Sequence, residues 1–222
     1  MRLLLVSDIH GSSDAVEQLA EEAVGADLVV LAGDITHFGD VSDAAEVIER
    51  LRNHNPRLLA VAGNCDNQQI KEYLARESLL LDYKGAAIGG ILFLGLSGAL
   101  PGPVSTPYEL SEEELAELLA KTQHGPECTV LISHQPPYKT IADRAMKVKH
   151  VGSRSVRDWI DRNSPQLVVC GHIHESFGSS RQDGSLIVNP GALKDGRYAV
   201  AEINPADCSV EVELKAVSRQ PG

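Results

Sequence analysis

Val6-Ser7-Asp8-Ile9-His10-Gly11 decides how the rest of this chain is read. The preceding run Leu3-Leu4-Leu5-Val6 has the continuous apolar character of a buried strand, and it stops at a carboxylate and an imidazole two residues apart. Four later segments repeat the plan: Gly33-Asp34, Gly63-Asn64-Cys65-Asp66, Ser133-His134 and Gly171-His172-Ile173-His174. Each follows an apolar stretch. The five strand ends are expected to form one rim of a sheet and to converge on metal.

Between these segments strands alternate with helices. A helix is expected to begin near Ser12 to Asp14, with Val16, Leu19, Ala20, Ala23 and Val24 on one face. Residues 28–31 read as the second strand, a helix from about Ser42 buries Ala44, Val47, Ile48 and Leu51, and residues 58–62 read as the third strand. Ile91–Leu96 is a strand running into a glycine- and proline-rich loop, and Ser111-Glu112-Glu113-Glu114 is a capping box before Leu115, Leu118 and Leu119. A strand at 128–132, a helix with Val156, Trp159 and Ile160 on one face, and a strand at Leu167–Cys170 complete a pattern that predicts a largely parallel α/β sheet. Beyond His174, turns at Asp183-Gly184, Asn189-Pro190-Gly191 and Asn204-Pro205 separate strands at 186–188, 198–203 and 210–214. That antiparallel part is expected to form a second sheet packed on the first.

The 222 residues contain nothing that reads as an interdomain linker, so a single domain over 1–217 is expected, followed by a short tail at 218–222. Hydrophobic residues at 43% and charged residues at 23% fit a folded globular chain and exclude a disordered or fibrous one. The net charge of -11 argues against a broad electrostatic grip on a nucleic-acid duplex. A phosphate ligand would need a local positive source, which bound divalent metal supplies. Cys65, Cys128, Cys170 and Cys208 form no Cys-x-x-Cys pair, and the last three sit in or beside apolar runs as small core residues, a usage that fits a reducing cytoplasm. The apolar run after Met1-Arg2 is too short for a signal-peptide core. Residues 85–108 carry no charge but are broken by Gly89-Gly90, Gly95, Gly98, Pro101 and Pro103, so no membrane helix is expected. The oligomeric state is not legible.

Asp8, His10, Asp34, Asn64, His134, His172 and His174 offer oxygen and nitrogen donors enough for two ions if one carboxylate bridges them. Mixed carboxylate, amide and imidazole donors suit Mn²⁺, Fe, Zn²⁺, Co²⁺ or Ni²⁺ better than Ca²⁺. The order Asp-x-His, Gly-Asp, Gly-Asn-x-Asp, His, Gly-His-x-His, from residue 8 to residue 174, resembles the calcineurin-like metallophosphoesterase superfamily. The resemblance implies a four-layer fold of two packed mixed β-sheets flanked by helices. It implies that Asp8, His10, Asp34 and His174 hold one metal, with manganese the first choice, and that Asp34, Asn64, His134 and His172 hold the other. It also implies a phosphoesterase acting on small phosphoesters, diesters before monoesters, in which a metal-bridging hydroxide attacks phosphorus in line.

One departure qualifies that picture. Many superfamily members have His where this chain has Cys65, and that His assists the departing group. The branch that shares Cys includes both phosphodiesterases and a retromer scaffold subunit, so a non-catalytic metal-binding scaffold is the alternative reading. His37 and His150 are candidate substitutes for the proton transfer; the plain alternative for His37 is a loop histidine bonded to backbone. Residues 138–152 hold Lys139, Arg144, Lys147, Lys149 and His150, either a solvated loop or a lid that brings cations to a bound phosphate. Asp66 is read as a loop organiser, Asn189-Pro190-Gly191 as a tight turn, Trp159 as core, and His54 and His124 as solvated. A P-loop enzyme is excluded, since no Gly-x-x-x-x-Gly-Lys-Ser/Thr follows a strand.

Overall fold

Leu3 and Leu5 of the first strand pack one way and Leu4 and Val6 the other, and both faces are buried. A strand covered on both sides requires layers above and below it. The computed structural model describes residues 1–122, 128–146 and 148–217; His124, Lys147 and the tail expected at 218–222 lie outside the described residues.

In chain order the elements are β1 (Arg2–Val6), α1 (Ser13–Glu17), α2 (Ala20–Val24), β2 (Leu28–Ala32), α3 (Val41–His54), β3 (Leu58–Val61), α4 (Gln68–Arg76), β4 (Ala86–Ile88) and β5 (Ile91–Leu96). They continue with α5 (Glu112–Ala120), β6 (Cys128–Ser133), β7 (Arg144–Ala145), β8 (Lys149–His150), α6 (Arg154–Asn163) and β9 (Leu167–Cys170). The chain closes with β10 (Gly178–Gln182), β11 (Ser185–Asn189), β12 (Arg197–Asn204) and β13 (Ser209–Ala216).

One sheet has the order β13-β12-β1-β2-β3 and the other β10-β11-β9-β6-β5-β4. Both are mixed: β1, β2 and β3 run parallel, as do β5, β6, β9 and β11, while β12, β13, β10 and β4 pair antiparallel to their neighbours. Leu3, Leu5, Val30 and Val61 meet Phe93, Val130, Ile132 and Val169 between the sheets. Leu4, Val6, Val29 and Leu31 are covered by Val16, Ala23, Val47, Ile48, Ile70 and Leu74 of the first four helices and by Leu19 in the turn between α1 and α2. Leu94, Leu131 and Val168 are covered by Leu115, Leu119, Val156, Trp159 and Ile160 of α5 and α6. Three apolar layers thus separate four layers of structure, two sheets with helices outside each.

Several expectations need correction. The metal-facing segments end strands of two sheets, β1, β2 and β3 in one and β6 and β9 in the other, so the rim is made by both. The late hairpins build no sheet of their own: β12 pairs with β1, Leu5 lying opposite Ala199, while β11 pairs with β9. Sequence order hides this, because these partners are far apart in the chain. The first helix is two short ones broken around Leu19, and Val24 is 70% exposed. Helix α4, capped by Asn67 through its bond to the Ile70 N–H, had no expectation, since only Ile70, Tyr73 and Leu74 carry apolar weight in it. Residues 138–152 hold a turn at Ile141–Asp143 and the β7–β8 hairpin. Finally, Cys128 and Cys208 form a disulfide, which withdraws the cysteine argument for a reducing compartment; Cys65 and Cys170 are free and buried. Among the described residues no helix is long and apolar enough to cross a membrane.

Candidate metal centre

Ligand sites in parallel α/β sheets form beyond the carboxyl ends of the strands, where backbone groups leave the ladder and need new partners. Here the loops after β1 and β2 are laced together: the N–H groups of Asp8, His10 and Gly11 donate to the carbonyls of Gly33, Asp34 and Ile35. The lacing holds Asp8 at φ 53°, His10 at 50° and Asp34 at 51°, in the left-handed region, which His172 also adopts at 69° where its N–H meets the Asp8 carboxylate. Such conformations cost of order 1–3 kcal/mol each and persist where the surroundings impose them. Two glycines permit the close approach of the loops. A Cβ at Gly63 would overlap the Asp34 carboxylate, and one at Gly171 would overlap the Ser7 hydroxyl.

Six of the seven expected donors come together in two groups, and the ring of the seventh, His172, packs beside them. Asp8 Oδ1 is 3.1 Å from His174 Nε2 and 3.9 Å from His10 Nε2, and the two Nε2 atoms are 3.2 Å apart. His134 Nε2 is 2.9 Å from Asn64 Oδ1 and 3.4 Å from Asp34 Oδ1. Between the groups lies Asp34, whose other oxygen, Oδ2, is 3.7 Å from His10 Nε2. The His172 ring packs edge-on against His134 at 5.3 Å between centroids, and its backbone N–H donates to the Asp8 carboxylate.

The separations from 2.9 to 3.4 Å have the spacing of donors around a cation, while His10 stands farther from the two carboxylates, at 3.9 and 3.7 Å. A divalent ion about 2.1 Å from each donor sets neighbouring donors roughly 3.0 to 3.4 Å apart, the edge of an octahedron or tetrahedron. The protonation states agree. Burial depresses His10 to about 4 against the pull of Asp34 and Asp8, and burial with the charge of His134 takes His172 to about 4, so both present free nitrogen lone pairs at neutral pH. His134 behaves differently: burial opposes its charge, yet Asp34 raises it to about 9. Its Nδ1 is 2.7 Å from the Ala32 carbonyl, so Nε2 is left facing two oxygens, a place that calls for positive charge. Asp34 itself is held well below the usual carboxylate range: burial raises it, but the charge of His134 and the Cys65 N–H outweigh that.

The remaining candidates divide. His37 is exposed, with Nδ1 3.3 Å from His10 Nδ1. Cys65 donates its backbone N–H to Asp34 Oδ1 at 2.8 Å, and its buried thiol is pushed up by burial and by Asp34, so it stays protonated. His150 is engaged by Asp143, Nδ1 to Oδ1 at 2.6 Å, with the Tyr138 ring beside it. Asp66 accepts the N–H groups of Ile35, Thr36 and Gly63 and thereby joins the loops after β2 and β3; burial and Asp34 raise its carboxyl to about 6. Asn189 does more than turn the chain: its amide donates to the carbonyls of Gly171 and Ile173, fixing the loop that carries His172 and His174. His54 bonds Glu17 instead of standing free in water. Asp143, fully buried, was missed; it accepts the N–H groups of Lys139, Thr140 and Gly152 as well as His150, and one aspartate in a basic stretch gives no signal of such a role.

The sequence profile of the calcineurin-like phosphoesterases matches residues 1–176. This chain belongs to that family. Among calcineurin-like phosphoesterases and related chains, protein MJ1162 of Methanocaldococcus jannaschii is 35% identical over 195 residues, 86% of this chain and 88% of its own. Phosphodiesterase YfcE of Escherichia coli is 37% identical over 76 residues, 31% of this chain and 41% of YfcE. The crystal structure of TT1561 of Thermus thermophilus superposes with a TM-score of 0.73 over 98% of this chain and 99% of that one at 20% identity, a likeness of fold. Family membership supports a phosphoesterase, from a family that depends on metal and acts on small phosphoesters.

Proposed function

We propose that the chain is a dinuclear phosphodiesterase that works with two divalent ions, manganese first among them. The observation that carries this reading is Asp34, whose Oδ1 faces His134 while Oδ2 faces His10, one carboxylate turned to two donor groups. Asp8, His10, Asp34 and His174 would hold one ion, and Asp34, Asn64, His134 and His172 the other. Two such ions, when bound, supply water of lowered pKa for in-line attack on phosphorus and positive charge for the phosphoryl oxygens.

The chain's own residues orient these groups. Asp66 and the Cys65 N–H hold the loops around Asp34, and Asn189 holds the loop of His172 and His174. His37, exposed beside His10, is placed to carry a proton to the departing alkoxide, a task for which the Cys65 thiol is ill suited. His150, oriented by Asp143, is the second candidate for that proton. Preference for diesters is supported by YfcE, a phosphodiesterase by name.

Cys65 also favours a second reading, a metal-binding scaffold on the same fold without turnover. Hydrolysis of bis(p-nitrophenyl) phosphate by metal-stripped protein reloaded with Mn²⁺ separates the two. Metal-dependent release that is lost in Asp34→Asn supports the diesterase. No release from protein carrying both ions supports the scaffold.

A further inference from the structure

His10 presents a different nitrogen to each of two neighbourhoods. Nε2 is turned to Asp8, Asp34 and His174, while Nδ1 lies 3.3 Å from Nδ1 of His37. A nitrogen of His10, a nitrogen of His37 and the Cys65 sulfur all lie within 4.8 Å of one another. The nitrogen pair already has the spacing of two ligands on one ion, about 3.0 to 3.4 Å. His37 is exposed and can turn the remaining distance toward the sulfur, whereas Cys65 is anchored beside Asp34. A cavity of about 230 Å³, lined by His10, Thr36, His37, Asp43 and Glu46, opens on this place from solvent. It offers an entry route with carboxylates on its wall and room for a water as fourth ligand.

We propose that His10, His37 and Cys65 form a third cation site, which shares His10 with the first donor group through the opposite ring nitrogen and favours thiophilic divalent ions such as zinc, cadmium or cobalt(II). One sulfur and two imidazoles are a donor set that prefers thiophilic ions to manganese, whereas the neighbours, each with two oxygens and two imidazoles, accept Mn²⁺ as well as Zn²⁺ or Co²⁺. Binding exchanges the Cys65 S–H bond for a metal–sulfur bond and releases that proton to the buffer; where Nε2 of His10 also holds an ion, the Nδ1–H bond is exchanged for a metal–nitrogen bond as well and a second proton is released. An ion seated there occupies His37 and Cys65 together, so thiophilic metals in excess act as inhibitors of any turnover that uses the face of the site beside His10.

Cobalt(II) titration of the metal-stripped full chain tests this, with ions counted by elemental analysis and a thiolate-to-cobalt charge-transfer band followed in the near ultraviolet. The band is expected to reach the intensity of one thiolate-bound cobalt per chain, to vanish in Cys65→Ser, and to require at least ~10-fold more cobalt in His37→Ala. Circular dichroism verifies that both variants fold. A cobalt-saturated wild-type chain without the band overturns the site, as does a band that His37→Ala leaves unmoved. The two-ion reading is judged separately: two ions per chain without the band sink only the third site, and the band with no further ions sinks only the two-ion reading.

Discussion

His134 Nε2 stands 3.4 Å from Asp34 Oδ1, and the side chains are 0% and 3% exposed. Burying a carboxylate against an imidazole is unfavourable unless a proton or a metal ion lies between them. Removing metal therefore leaves that place to a proton. Metal-stripped protein is expected to melt lower than reloaded protein, by an amount that grows with metal concentration and reaches about 2.7 kcal/mol at a hundredfold excess over Kd. Calorimetry at several Mn²⁺ concentrations checks it; a melting point indifferent to metal contradicts it.

Gly63 has no room for a side chain, because a Cβ there would overlap the Asp34 carboxylate. Gly63→Ala is expected to displace Asp34 and weaken metal binding at least ~10-fold. Metal counts after dialysis report the loss directly, and retention of metal at the wild-type level would show that the loop can yield.

Asp143 organises the segment from Lys139 to Gly152. Asp143→Ala leaves the buried N–H groups of Thr140 and Gly152, and the more exposed one of Lys139, without their acceptor, for a loss of roughly 2–3 kcal/mol. Urea unfolding measures it. Trypsin should also cut faster at Lys139, Arg144 or Lys149 in this variant, while His150→Ala, which leaves the backbone bonds in place, should resist as the wild type does.

Much of this was legible in the sequence and some was not. Strand ends at Asp8, Asp34, Asn64, His134 and His172 could be read because a continuous apolar run followed by a polar residue is a local signal. The pairing of β12 with β1 could not, since it joins segments about 200 residues apart and no local pattern encodes it, whereas its hairpin with β13 follows from the Asn204-Pro205 turn. The Cys128–Cys208 bond spans 80 residues and lacks a motif, so only the packing of the β12–β13 turn against the start of β6 reveals it. Asp143 and Asn189 act through backbone groups, whose positions a sequence does not display. The left-handed backbone of Asp8, His10, Asp34 and His172 was equally hidden, because these residue types adopt many conformations.

That disulfide joins the start of β6 to the β12–β13 turn, at the opposite end of β6 from His134. Reduction, or Cys208→Ser, is expected to lower stability by roughly 2–4 kcal/mol. Thermal unfolding with and without reductant checks it, and the metal count should not change, since the bond lies away from the donors.

Glu112 ties α5 to the start of α6. Burial opposes its ionisation, but the Ser153 hydroxyl and the N–H groups of Arg154 and Ser155 outweigh that and hold the carboxyl below its usual range. A lowered carboxyl stabilises the fold above its unfolded value, 4.5, and the contribution fades as pH falls through the lowered value. Glu112→Gln should therefore cost about 1 kcal/mol near neutral pH, a modest figure for a partly exposed group, and the gap should close in acid. Parallel melts from neutral pH into acid show whether the two curves converge.

The central claim is that Asp34 bridges two ions. Electron paramagnetic resonance of the Mn²⁺-loaded chain, with manganese counted on the same sample, tests it most directly. Two ions per chain with an exchange-coupled spectrum that Asp34→Asn abolishes is the expected result. One ion per chain, or two with the spectrum of isolated Mn²⁺, would contradict it.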